Sequence, residues 1–175
     1  MGTRSLTRII PIVHYKNNNK LDEAHIFSDK STFHKDIDKS YLNLYRQYDG
    51  YPSYWGVKLA QYFNTIKIGN GIIMVKAGKV AVPPILNTYA NGIDCLAAQF
   101  VKWAKKEVGN VYLLPHDNKT GACNYIYTIL PEEGKETMIS IYDNYNSVVL
   151  FYGSCKDVID KYYDVELEEV LQNDR

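Results

Sequence analysis

The sequence predicts an α+β fold: mostly antiparallel sheet packed with two central helices and a C-terminal helix. Three observations carry that expectation. Strand-like runs rich in β-branched residues open the chain and return after residue 110. Two segments with apolar residues at helical spacing lie between them, and a third closes the sequence. Runs segregated in this way favour antiparallel pairing over a repeated strand–helix–strand unit.

The elements follow in order. Residues 3–13, with Leu6, Ile9, Ile10, Ile12 and Val13, read as a buried strand, and Lys16-Asn17-Asn18-Asn19-Lys20 as a turn. Residues 21–40 are charged apart from a short strand candidate, Ala24-His25-Ile26-Phe27. Leu42-Asn43-Leu44-Tyr45-Arg46 alternates as a strand and runs into an Asp49-Gly50 turn. Pro52 or Ser53 then opens a helix whose apolar face is Val57, Leu59, Ala60, Phe63 and Ile66, stopped by Gly69-Asn70-Gly71. Ile72 to Val75 is a weaker strand candidate and Val82-Pro83-Pro84 a loop, where the proline isomers stay open. Asn91-Gly92 breaks the chain before a second helix carrying Ile93, Leu96, Ala97, Phe100, Trp103 and Ala104. Strands are expected over 111–114, 124–130, 137–142 and 147–152, the last pair joined by a turn at Asp143-Asn144-Tyr145-Asn146. Ser154 caps a final helix over 158–163, followed by an acidic tail.

A length of 175 residues suits a single domain, 1–175, with a substantial core. Twenty basic and twenty acidic residues balance, which argues against general binding to a nucleic-acid backbone. No apolar run reaches the ~20 residues of a membrane span, so no membrane partner is expected. Three cysteines, Cys95, Cys123 and Cys155, are far apart and match neither a disulfide framework nor a zinc site, which fits a reducing cytoplasm. His14, His25, His34 and His116 show no metal spacing. Neither a metal nor another cofactor is expected. Gly69-Asn70-Gly71 follows a helix and lacks the Gly-Lys-Ser/Thr of a phosphate loop.

The densest chemistry lies in Tyr45-Arg46-Gln47-Tyr48-Asp49-Gly50-Tyr51-Pro52-Ser53-Tyr54-Trp55-Gly56, at the junction of a strand and a helix. Helix N-termini leave N–H groups unpaired and favour anions. Arg46 offers a planar fork for phosphate or carboxylate, and Asp49 can steady that fork or accept from a ligand hydroxyl. The plainer alternative is an ordinary ion pair at a turn. Tyr51, at the exposed junction, is the candidate for stacking on a ring; Trp55 is read as a core anchor. A second helix start, around Asn91 and Asp94, offers hydroxyl or anion contacts, although Asp94 also suits the helix dipole by itself.

Two stretches, Met1-Gly2-Thr3-Arg4-Ser5-Leu6-Thr7 and Tyr45-Arg46-Gln47-Tyr48-Asp49-Gly50-Tyr51-Pro52-Ser53, resemble a group of small uncharacterised proteins of bacteriophages, prophages and some bacteria. Ala90-Asn91-Gly92-Ile93-Asp94-Cys95-Leu96-Ala97-Ala98-Gln99 and Tyr125-Ile126-Tyr127-Thr128-Ile129 are similar too. The resemblance makes residues 21–40 a charged insertion. It implies a counter-defence setting in the bacterial host cytoplasm: sequestering a nucleotide-like signal, cyclic forms included, or blocking a host defence protein. The leading expectation is a non-enzymatic binder with Thr3, Arg4, Arg46, Asp49, Tyr51 and Asn91 lining the site. Arg4 and Arg46 would hold phosphate, Tyr51 would stack, and Asp49 and Asn91 would take hydroxyl or base-edge contacts.

Two alternatives stand beside it. The order of elements is loosely similar to that of N-terminal-nucleophile hydrolases, with Thr3 or Ser5 near the terminus. Removal of Met1 would leave Gly2, which has no nucleophile, so that chemistry needs a further cleavage before Thr3. The sixteen tyrosines could instead form a protein-interaction surface. A homo-oligomer is compatible with either binding reading.

Overall fold

The computed structural model describes residues 2–10, 40–69, 74–76, 79–81, 88–115 and 123–163. The expected strand at 24–27, the four histidines, the 82–84 loop with its prolines and the acidic tail lie outside these residues, as does the charged segment apart from Ser40.

A six-stranded sheet organises the chain. In chain order its strands are β1 (Ser5–Ile9), β2 (Leu42–Arg46), β7 (Val111–Leu114), β8 (Tyr125–Leu130), β9 (Met138–Asp143) and β10 (Val148–Ser154). They lie side by side as β10-β9-β8-β1-β2-β7. Only β1 and β8 run parallel; every other neighbouring pair is antiparallel. The α+β expectation therefore holds, and the one parallel pair has a simple cause. The first strand sits at the centre, buried along its whole length, and the chain must cross the helical layer before β8 can dock beside it.

Side chains alternate across each strand, so the sheet has two distinct faces. One face, with Ile9, Leu44, Tyr127, Ile129, Ile139 and Ile141, carries the larger core cluster against the helices. The other, with Leu6, Ile126 and Tyr142, carries a smaller cluster that includes Cys123.

The helical layer begins at Pro52, as expected, but with a five-residue π-helical turn, Pro52–Gly56, that runs directly into α1 (Val57–Asn64). α2 (Gly92–Ala104) and α3 (Cys155–Tyr162) complete it. α1 buries Val57, Leu59, Ala60 and Phe63, and α2 buries Leu96, Ala97 and Phe100. Those positions match the predicted apolar faces. Ser154 caps α3 as predicted: its hydroxyl accepts from the Asp157 N–H at 3.2 Å while the Asp157 carboxylate takes the Ser154 N–H at 3.0 Å.

α1 ends earlier than expected. Gly69-Asn70-Gly71 does not stop it; Thr65 does, its hydroxyl turned back onto the Tyr62 carbonyl at 2.8 Å. Lys67–Gly69 is instead β3, paired in parallel with β6 (Tyr89–Asn91). The β-branched Thr65, Ile66 and Ile68 suit a strand better than a helix, and Ile66 still reaches the core. A further ribbon pairs β4 (Met74–Lys76) with β5 (Lys79–Ala81), overlapping the weaker strand candidate of the sequence. Among the described residues no helix is long and apolar enough to cross a membrane.

Candidate functional site

The chain between β2 and α1 is held by one glycine. The Gly50 N–H donates to the Thr3 carbonyl at 2.9 Å, and its own carbonyl accepts the buried Tyr127 hydroxyl at 2.8 Å. A β-carbon on Gly50 would meet the Ser5 side chain at 2.7 Å, so close approach requires glycine here. The left-handed backbone of the turn falls on Asp49 (φ 54°), a residue type that tolerates it. Burial holds the Tyr127 hydroxyl well above its usual pKa, so it stays a neutral donor.

Arg46, at the end of β2, is buried although charged. Its Nε donates to the Tyr48 carbonyl at 2.7 Å, and its guanidinium lies over the Trp55 ring at 4.3 Å and the Tyr54 ring at 5.7 Å. The Asp49 carboxylate approaches only to 3.9 Å and is half exposed. Carbonyl and aromatic faces therefore position this arginine more than the ion pair does. Trp55 is itself fixed: Nε1 donates to the Thr7 hydroxyl at 3.0 Å, and its ring stacks on Trp103 at 5.6 Å. Its reading as a core anchor is confirmed.

Arg46 lines a cleft of about 380 Å³ whose other walls are Ala104 to Glu107 and Gly109 to Val111, at the C-terminal end of α2. That volume lies within the range of small-molecule sites. The loop is braced from within. The Lys105 ammonium donates to the carbonyls of Gly109 (2.8 Å) and Val111 (2.7 Å), while Asn110 accepts from the Gln47 and Tyr48 N–H groups. Gly109 and Asn110 take left-handed backbone (φ 81° and 55°) to make the return into β7. Nothing in the sequence reading pointed to this loop. Lys105-Lys106 after a helix reads as a complement to the helix dipole, and only the Gly109-Asn110 pair hints at a tight return.

The helix start offers fewer N–H donors to an anion than expected. Pro52 has no N–H, and the Tyr51 carbonyl accepts from Tyr54, Trp55 and Gly56 together. Among the described residues, positive charge near this junction comes from Arg46, the lysines of the loop and Lys58, whose ammonium lies 5.8 Å from the Tyr54 ring centre. Tyr51 stands partly exposed with its ring 5.9 Å from Tyr54, and its pKa is raised, first by burial and then by Asp49.

The remaining expected residues divide. Thr3 abuts the site through its carbonyl on Gly50. Arg4 is exposed and is anchored by its backbone, which exchanges hydrogen bonds with Asn124. Asn91 sits at the opposite end of α2 from the cleft, and thirteen helical residues span roughly 20 Å. The structure thus gathers Thr3, Arg46, Asp49 and Tyr51 and leaves Asn91 apart. Ser5, the other residue considered as a nucleophile, is fully buried beneath Gly50. Among the described residues no group of His, Cys, Asp and Glu could hold a metal. Burial lifts the Cys155 thiol to about 12, far from a reactive thiolate.

No family model matches the chain, and no curated protein or solved structure is similar enough to match it.

Proposed function

We propose that the protein is a non-enzymatic binder that sequesters a nucleotide-like anion in the Arg46 cleft, in keeping with a counter-defence role in a phage setting. One observation carries the reading: a buried guanidinium, set over the Trp55 ring, lines a cleft that Lys105 and Lys106 also line. Arginine fixed by a carbonyl and an aromatic face is pre-organised, so little of its entropy is lost on gripping phosphate. Tyr51 and Tyr54 on the junction side offer rings for a base to stack on.

The test is a set of binding titrations with mononucleotides, dinucleotides and cyclic nucleotides, followed by Trp55 and Trp103 fluorescence. Binding should weaken at least tenfold in Lys106→Glu, a change on the exposed rim that spares the core. Mass spectrometry of the ligand afterwards should return it unaltered. No binding by any of these nucleotides would sink the proposal, and a chemically changed ligand would make the protein an enzyme.

A second reading, blocking a host protein, draws on β7. This strand closes one side of the sheet and exposes Tyr112 and Leu113, at 45% and 58%. The outward N–H and carbonyl of Val111 are already engaged, by Gly109 and Lys105. A partner would therefore meet side chains there before it met backbone.

A further inference from the structure

The face of the sheet turned away from the helices carries a line of polar side chains. Arg8 on β1 lies in register with Asn43 on β2 and with Thr128 on β8. Thr128 stands opposite Ser140 on β9, and Ser140 opposite Tyr152 on β10. Neighbouring strands are about 4.8 Å apart, so the line crosses roughly 20 Å of sheet. It is not a surface feature. Arg8 and Ser140 are 0% exposed and Thr128 1%. Buried Leu6, Ile126 and Tyr142 border it on the same face.

Two of these groups, Thr128 and Ser140, carry hydroxyls that are cut off from solvent and make no hydrogen bond among the described residues. Asn43, by contrast, is committed: its amide donates to the Pro115 carbonyl at 2.9 Å and its oxygen accepts from Ser40 at 3.4 Å. A buried hydroxyl without a partner costs about 1–3 kcal/mol, and valine or alanine would fill the same positions without that cost. Two such hydroxyls beside a buried arginine are what an oxyanion requires: fixed donors and a positive charge in a dry setting. Burial draws the Arg8 pKa down to about 10, against the opposing pull of Cys123, which leaves it a cation at neutral pH. Its five N–H donors can serve an anion alongside its other interactions.

We propose that Arg8, Thr128 and Ser140 form a second binding site, on the opposite face of the sheet from the Arg46 cleft, for the carboxylate or phosphate group of a small ligand. Thr128 and Ser140 donate their hydroxyl protons to its oxygens and Arg8 supplies the countercharge.

The test is thermal unfolding of the full chain in sodium phosphate, sodium acetate and sodium chloride at matched ionic strength. The parent should gain about 4 °C or more in phosphate or in acetate over chloride, the effective anion identifying which group the site takes. The Thr128→Val/Ser140→Ala double variant should be at least as stable as the parent in chloride yet lose that gain. Each single variant should reduce the affinity for the effective anion at least tenfold, which keeps the test open if the double variant does not fold. Lys106→Glu removes the phosphate grip proposed for the other cleft, so the part of the gain that the double variant loses should remain in it. The proposal is overturned if neither anion stabilises the parent, or if the variants lacking the hydroxyls gain as much as the parent.

Discussion

Gly50 lies so close to Ser5 that a β-carbon on it would stand 2.7 Å from both the β-carbon and the hydroxyl oxygen of Ser5. Nearby, Gly2 packs on the Tyr48 ring with no room for a side chain, and Ser5 pairs with Arg46 in the ladder of β1 and β2. The two stretches that stood out in the sequence, near residues 2–7 and 45–53, are thus two sides of one contact. Their residue types answer to each other's shape as well as to any ligand.

Gly50→Ala should destabilise the protein by about 2–3 kcal/mol, since overpacking of a fixed backbone contact has nowhere to relax. Urea unfolding would measure it. Adding Ser5→Gly removes the nearest atoms and should restore part of the loss, though the Ser5 backbone nitrogen remains 2.9 Å from the new methyl. Equal losses in the single and double variants would show that the strain lies elsewhere.

Tyr127→Phe should cost about 1–2 kcal/mol, because the Gly50 carbonyl then sits buried without its donor. The same urea experiment measures the loss. A change below ~0.5 kcal/mol would mean that the carbonyl finds another partner.

Arg46→Lys should lower stability by about 1–2 kcal/mol through loss of the guanidinium contact with the Trp55 ring and the carbonyl bond, and should shift tryptophan emission. Asp49→Asn should change stability by less than ~0.5 kcal/mol, given a half-exposed carboxylate 3.9 Å away. The reverse ranking would make the ion pair the organising contact of the junction.

Burial raises the Tyr62 pKa from about 10 to about 12, with a smaller push from Cys95. The unfolded chain gives up this proton first, so the stabilisation is complete below pH 10 and is lost as pH rises through 12. Melting temperatures between pH 9 and pH 12 should fall less steeply in Tyr62→Phe than in the parent. Parallel curves would remove Tyr62 from the account.

Ser154→Ala should cost about 1 kcal/mol by breaking the capping box of α3. The hydrogen bonds from Ser154 also hold the Asp157 carboxyl below its usual pKa, so the contribution is present above pH 4 and lost as pH falls through the lowered value. The acid limb of a stability–pH curve should be shallower in the variant. If the two limbs coincide, Asp157 contributes nothing through its charge.

Local patterns foretold much of the fold because they are local in origin. The apolar spacing of Val57, Leu59, Ala60 and Phe63, the cap at Ser154 and the helix opening at Gly92 depend on neighbours within a few residues. The end of α1 was misplaced because Gly69-Asn70-Gly71 competed with the β preference of Thr65 to Ile68, and pairing with β6, twenty residues on, decided the outcome. The wealth of aromatic residues around Arg46 was visible in sequence; that its guanidinium sits over the Trp55 ring and lines a cleft at the far end of α2 was not.

The sequence alone determined the class of fold, the residues that face the core and the junction where charge and aromatic rings gather, since these follow from periodicity and the chemistry of adjacent positions. Tertiary structure alone decided which groups share a site. It parted Asn91 from Arg46 by the length of a helix, drew the Tyr54, Trp55 and Gly56 N–H groups onto the Tyr51 carbonyl, and set Arg8 in line with Thr128 and Ser140, residues more than a hundred positions away. Strand order and register bring such residues together through hydrogen bonds between distant segments, a long-range choice that no local spacing encodes.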